Sequence, residues 1–116
     1  MSRNMSFSLT TPQIQGGTKT VTRRLGWRFL KPGDLVRPVV KAMGLKKGEK
    51  VQPIRGPLRV VSARREPLFR VYSEPGACAA EGFPEMTPHE FVKMFCKSMK
   101  VKPETMVTRI EFEYTD

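Results

Sequence analysis

Near its end the sequence changes period, and that change limits what the chain can fold into. Thr87-Pro88-His89-Glu90 is a capping box with proline at the first helical position. It predicts a helix running to about Lys100, with Phe91, Phe95 and Met99, joined by Val92 and Cys96, on the buried face. Lys93, Lys97 and Lys100 fall outward or toward the C-terminal end, where cations suit the helix dipole. Pro103 closes the helix. From 106 to 114 the period becomes two: Ile110, Phe112 and Tyr114 alternate with Arg109, Glu111 and Glu113. That is a closing strand with one buried face.

The upstream segments are mostly strand-like. Met5-Ser6-Phe7-Ser8-Leu9 alternates and reads as a half-buried strand. Thr10 or Thr11 can cap a short helix, with Pro12 at its start, that stops at Gly16-Gly17. Lys31-Pro32-Gly33-Asp34 is turn chemistry before a strand over 35–40, in which Pro38 implies an edge or a bulge. Residues 41–56 form a basic, glycine-containing loop carrying Lys46, Lys47 and Lys50, with a short strand possible over 51–54. It is either an exposed loop or a contact for a phosphate backbone. Residues 58–65 read as a strand whose arginines, Arg59, Arg64 and Arg65, line solvent or a groove, and residues 70–72 as a further short strand or turn. The expected class is α+β: a small mixed β-barrel with a short N-terminal helix and a longer C-terminal one. Closure of a barrel removes exposed strand edges.

The 116 residues suit one domain spanning 1–116, and 39% hydrophobic residues allow a packed core. No apolar run is long enough for a membrane span, and none near the start resembles a signal peptide, so a cytoplasmic protein is expected. Cys78 and Cys96 lack metal-ligand spacing and read as small apolar fillers; no metal or cofactor is expected. The 21 Lys and Arg outnumber the 11 Asp and Glu, giving a net charge of +10. Such an excess predicts attraction to RNA or DNA, and disfavours a membrane surface because no helix joins a lysine-rich face to bulky apolar anchors.

Chemistry concentrates in Gly16-Gly17-Thr18-Lys19-Thr20-Val21-Thr22-Arg23-Arg24. The glycines allow a sharp bend and close approach. Three cations beside three hydroxyls suit an anion, most simply a phosphate. One helical turn would put Lys19 and Thr22 on the same side. A lysine beside a hydroxyl is also the minimum for an activated nucleophile, provided its pKa is lowered. Val21 and Leu25 are expected to turn inward. On composition alone the simpler reading of the same residues is a solvated basic turn after a short helix. Glu81, among small residues and before Gly82-Phe83, is a carboxylate able to approach other groups closely. Trp27, the single tryptophan, is either core or a platform for a base.

Gly17-x-Lys19-x-x-Thr22-x-Arg24 resembles the G-x-K-x-x-T/E-x-R signature of the ASCH domain, a branch of the PUA-like superfamily. Lys31-Pro32-Gly33-Asp34 and Glu81-Gly82-Phe83 follow in the order of that family, and the likeness spans roughly residues 5–114. The resemblance implies a PUA-like β-barrel with a cleft beside the signature. It also implies that the lysine and the acidic residue before the C-terminal helix share that cleft. Some small bacterial ASCH proteins are amidohydrolases that remove the acetyl group of N4-acetylcytidine with a lysine, a threonine and a glutamate. Carried over, these are Lys19, Thr22 and Glu81, with Glu74 as the fallback for the carboxylate. Nucleic acid would be met by Arg23, Arg24, Lys46, Lys47, Arg64 and Arg65. Two other readings stay open: a non-catalytic reader of RNA, DNA or a modified base, and a ribonuclease. The latter lacks the usual histidine pair, since His89 stands alone in a capping box. The basic stretch over 41–56 departs from the nucleoside hydrolases and suggests a larger ligand than a modified nucleoside.

Overall fold

The structure, a computed structural model, describes residues 3–116. Five strands form one mixed sheet: β1 (Arg3–Ser6), β2 (Val21–Arg24), β3 (Leu35–Val39), β4 (Leu58–Pro67) and β5 (Met106–Tyr114). Their order is β1-β3-β4-β5-β2. β1 runs parallel to β3, and the remaining pairs are antiparallel. The helices are α1 (Thr11–Gln15), α2 (Ala77–Ala80) and α3 (Pro88–Met99), with a 3-10 helix over Leu68–Ser73. The class is therefore α+β, with a short first helix and a longer last one. No helix among the described residues is long and apolar enough to cross a membrane.

The expected barrel is met by an open sheet. β1 and β2 are its two edges, with no ladder between them among the described residues. One side chain spans the gap: Arg24 Nη2 donates to the Ser6 carbonyl at 2.7 Å. Its guanidinium lies 4.7 Å from the centre of the Phe7 ring. β4 and β5 form the spine, pairing from Leu58↔Tyr114 to Pro67↔Met106 with a bulge between Val60 and Ser62. The extra residue, Val61, is exposed, while Val60 and Ala63 stay with the core. A bulge of this kind bends a long strand and raises its twist.

Apolar residues gather in two cores. The first, under the sheet, includes Met5, Phe7, Ile14, Val36, Leu58, Ile110 and Phe112. The second joins the 3-10 helix, α2, α3 and β5 through Leu68, Val71, Cys78, Phe91, Phe95 and Val107. The capping box of α3 is present in full: Glu90 N donates to Thr87 Oγ1 at 3.1 Å and Thr87 N to Glu90 Oε1 at 2.9 Å.

Several elements differ from the sequence reading. β1 ends at Ser6, not Leu9, because the Phe7 carbonyl accepts from Thr10 N and Thr11 Oγ1 and turns the chain into α1. The strand over 51–54 reduces to a single bridge between Val39 and Pro53. Residues 70–72 belong to the 3-10 helix. Val21 points inward as expected, but Leu25 and Met99 are exposed. The signature is not a helical turn: Val21 begins β2, whose backbone is claimed by β5 through Thr22↔Ile110 and Arg24↔Thr108.

Candidate active site between the two cores

A cleft of about 300 Å³ opens where the two cores meet. Phe7 supplies one wall and Phe83, Phe91, Met94 and Phe95 the other; Lys19, Thr22, Arg23, Arg24 and Glu81 supply the charged groups and a hydroxyl. A mostly apolar pocket with a few convergent polar groups suits a planar ring with polar edges.

Lys19 reaches this place because Gly17, at φ +72, turns the chain out of α1. The Lys19 amide then donates to the Gln13 carbonyl at 3.3 Å, and its carbonyl accepts from Tyr114 Oη at 2.6 Å. Glu81 arrives at the C-terminal end of α2, among Ala77, Ala79 and Ala80, which are small enough to let it lie against β2. Gly82 follows at φ +99, and its carbonyl accepts from Gln13 Nε2 at 3.2 Å. The four residues 13, 19, 81 and 82 thus fix one another.

Lys19 Nζ donates to the Glu81 carbonyl at 2.7 Å and to Glu81 Oε1 at 3.0 Å. Both side chains are 4% exposed. Burial lowers the pKa of Lys19; the Glu81 carboxylate opposes this, and the charges of Arg24 and Arg23 add to the lowering. With two protons committed to Glu81, one tetrahedral position of Nζ remains. It holds a third proton or, as the pKa falls, a lone pair.

Thr22 is 3% exposed, and its Oγ1 accepts from Arg24 Nε at 3.0 Å. The arginine occupies one lone pair and leaves the hydroxyl proton to be donated elsewhere. Burial brings the pKa of Arg24 down to about 10 against the pull of Glu81, so it is a cation at neutral pH. Lys19 and Thr22 do not bond to each other among the described residues; each is held by its own partner, Glu81 and Arg24.

The other Glu81 oxygen is held from behind. Arg23 Nη1 donates to Glu81 Oε2 at 2.9 Å and Arg23 Nη2 to Glu74 Oε1 at 2.8 Å. Arg109 Nε donates to the same Glu74 oxygen at 2.8 Å, and Arg64 Nε to Glu66 Oε1 at 2.8 Å. A chain of alternating charge therefore runs from Lys19 through Glu81, Arg23 and Glu74 to Arg109 at the sheet surface. Burial raises the pKa of Glu74, but the Arg109 hydrogen bond and the charges of Arg23, Arg109 and Arg64 outweigh it and hold the carboxyl below its ordinary value.

The sequence candidates separate accordingly. Lys19, Thr22, Arg23, Arg24 and Glu81 line one cleft; Glu74 lies one ion pair further back. Arg23, read as a phosphate contact, has no exposed side-chain surface and is committed to carboxylates. Arg64 is exposed but paired with Glu66 and Glu74. Arg65 donates to the Leu25 carbonyl and to Thr108 Oγ1. Lys46 and Lys47 are exposed on the loop after β3 and line no part of this cleft. Trp27 packs partly against the first core and stacks at 5.6 Å on Phe29. His89 faces Tyr72 Oη at 3.4 Å and is not in the cleft lining. The sequence reading does not single out Gln13 and takes Tyr114 and Arg109 only as the two faces of a strand; the apolar stripe of α3, a wall of the cleft, reads there as core.

An α+β fold with a buried Lys–Glu pair facing an aromatic pocket is the class defined so far. The sequence matches no family model and no curated protein. Among solved structures, the chain is similar to hypothetical protein PH0355 (TM-score 0.67, 21% identity, covering 97% of this chain and 98% of that one). It is also similar to protein EF3133 of Enterococcus faecalis V583, of family DUF984 (TM-score 0.66, 16% identity, 100% and 84% covered). A third likeness is to the ASCH domain from Lactobacillus crispatus JV V101 (TM-score 0.52, 15% identity, 96% and 77% covered). The chain has an ASCH-like fold.

Proposed function

We propose that the cleft takes a nucleobase carrying an acyl group on an exocyclic nitrogen, as in N4-acetylcytidine, and hydrolyses the amide. Thr22 is the nucleophile, Lys19 its base, and Glu81 the residue that positions the lysine. Lys19 accepts the Thr22 hydroxyl proton, and Oγ1 forms a bond to the acyl carbon. The carbon–nitrogen bond breaks, and the proton held on Lys19 passes to the departing amine. Water then attacks the threonyl ester and gives a proton to Lys19; the bond between the acyl carbon and Oγ1 breaks, Lys19 returns that proton to Oγ1, and one amide and one water have become one amine and one carboxylic acid. Arg24, which donates to Thr22 Oγ1, supplies a cation for the charge that develops on the acyl oxygen.

The observation that carries this reading is the environment of Lys19 Nζ: buried, lowered in pKa, and bonded twice to Glu81 with one position left over. A structural ion pair alone needs no such access to a pocket. The test is release of acetate from N4-acetylcytidine by the wild type and by Lys19→Met and Thr22→Val, which keep side-chain volume. Turnover by the wild type and a loss of about 10²-fold or more in each folded variant is expected. A wild type that binds the nucleoside without releasing acetate makes the cleft a binding site and removes the hydrolase.

A further inference from the structure

β2 is an edge strand, and alternation fixes what its free edge offers. In an antiparallel ladder, pairs that exchange both main-chain hydrogen bonds alternate with pairs that exchange none. Phe112 N donates to the Thr20 carbonyl at 3.0 Å. In the same register Thr22 and Arg24 are therefore the bonded positions, opposite Ile110 and Thr108. Val21 and Arg23 alternate with them and turn their N–H and C=O away from β5.

Of these two, Arg23 lines the cleft and Val21 does not. The Arg23 side chain is 0% exposed, enclosed by Glu66, Glu74 and Glu81, yet the residue as a whole keeps 3% of its surface. What Arg23 shows to the cleft is therefore main chain. Among the described residues, no side chain and no loop amide or carbonyl bonds to either of its main-chain groups.

This open edge is short. At one end Thr20 N is taken by the Ala80 carbonyl of α2 at 2.8 Å; at the other, Arg24 bridges to the Ser6 carbonyl of β1. A peptide that adds a strand to a sheet pairs along several residues, and here one residue is open to the cleft. What fits is a flat ligand with a single acceptor and a single donor side by side on one edge. The aromatic walls at Phe7, Phe83, Phe91 and Phe95 suit the faces of such a ligand.

We propose that the Arg23 peptide reads the edge of the base: its N–H donates to a ring nitrogen, and its C=O accepts from the exocyclic N–H beside that nitrogen. This recognition deepens the reading that the cleft holds an acylated base, and rests on it. In an N4-acylated cytosine the two groups are N3 and N4–H; in an N6-acylated adenine they are N1 and N6–H. In uracil a ring N–H stands where the acceptor is needed, and two donors would face each other. The exocyclic nitrogen also carries the acyl group, so the same contact brings the amide to Thr22, the preceding residue of β2. Arg23 then serves the site twice: its side chain holds Glu81 from behind, and its main chain selects the base.

The test titrates isotopically labelled Thr22→Val, which keeps side-chain volume and cannot form a threonyl ester, with three ligands. They are N4-acetylcytidine, its analogue with C–H in place of N3, and its analogue with a methyl group in place of the N4 hydrogen. Affinity and the NMR shift of the Arg23 amide proton are read together, and acetate release by the wild type is read in parallel. Each analogue is expected to bind about ten-fold or more weakly, because it leaves one main-chain group of Arg23 without a partner. N4-acetylcytidine moves the Arg23 amide proton downfield, and the analogue lacking N3 does not. Should the variant fold poorly, the wild type with cytidine and with its analogue lacking N3, neither of which has an amide to cleave, gives the same comparison. Equal affinity for N4-acetylcytidine and its analogues, or an Arg23 amide that does not respond, overturns the proposal; if acetate is still released, the hydrolase stands and only the edge of the base was misassigned. No binding of any of the ligands removes the base from the cleft, and this recognition with it.

Discussion

Replacing Arg23 with methionine removes the cation that holds Glu81 from behind and keeps most of the volume. The arginine side chain is fully enclosed and makes charged hydrogen bonds of 2.9 Å to Glu81 and 2.8 Å to Glu74. Removing one partner from a buried ion pair costs about 3–5 kcal/mol, because the other charge is left without compensation. Here Glu81 keeps Lys19, and Glu74 keeps Arg109 and Arg64, so the lower figure applies. A loss of about 3 kcal/mol is a large part of the 5–15 kcal/mol that stabilises a typical domain. With a urea m-value of about 1.5 kcal/mol/M, the unfolding midpoint falls by about 2 M. In a thermal scan the same loss lowers Tm by about 12 °C. Urea titration followed by circular dichroism measures it. Arg23→Lys, which keeps a charge but cannot fork between two carboxylates, should fall between methionine and the wild type. A loss below about 1 kcal/mol for methionine would refute the assignment of Arg23 as the support of Glu81.

Two further outcomes follow from the same geometry. If Lys19 works as a neutral base, kcat/KM rises with pH as the lysine loses its proton, with a midpoint below the ordinary value of 10.5 because burial lowers it; a rate that falls across this range rules out Lys19 as the base. Gly82→Ala places a Cβ 2.9 Å from Gln13 Cγ at a φ of +99, so it is expected to destabilise the protein by about 1–3 kcal/mol and to disturb Glu81 beside it, read as a lower Tm together with weaker nucleoside binding.

The parts of this molecule written in local pattern were legible. The capping box of α3 states its own start, and the alternation of β5 states its buried face. The signature segment was not, because β2 is buried at Val21, Thr22 and Arg23 in succession and so shows no alternation to read. Arg23 misled for a related reason: an arginine that faces water and one that joins Glu74 and Glu81 have the same letter, and its partners lie 51 and 58 residues away. The meeting of Lys19 with Glu81 was implied by family likeness, not by spacing; nothing local to either residue points to the other across 62 positions. Trp27 packs partly against the first core and lies against Phe29. Its left-handed backbone, which among the non-glycine residues described only Lys100 shares, has no signature in the sequence.

The Arg24 bond across the sheet gap has a dynamic consequence. Edge strands joined by a backbone ladder separate only by breaking several hydrogen bonds together. Among the described residues the hydrogen bond across the gap between β1 and β2 is one guanidinium on one carbonyl. β1 has a ladder on one side only, to β3, whereas β4 and β5 are paired on both sides, so the backbone amides of β1 are expected to open before theirs. In hydrogen exchange this appears as early labelling of β1 against a protected β4–β5 spine. The same arginine joins the Thr22 hydroxyl in the cleft to the open edge of the sheet, through Nε on Thr22 and Nη2 on Ser6.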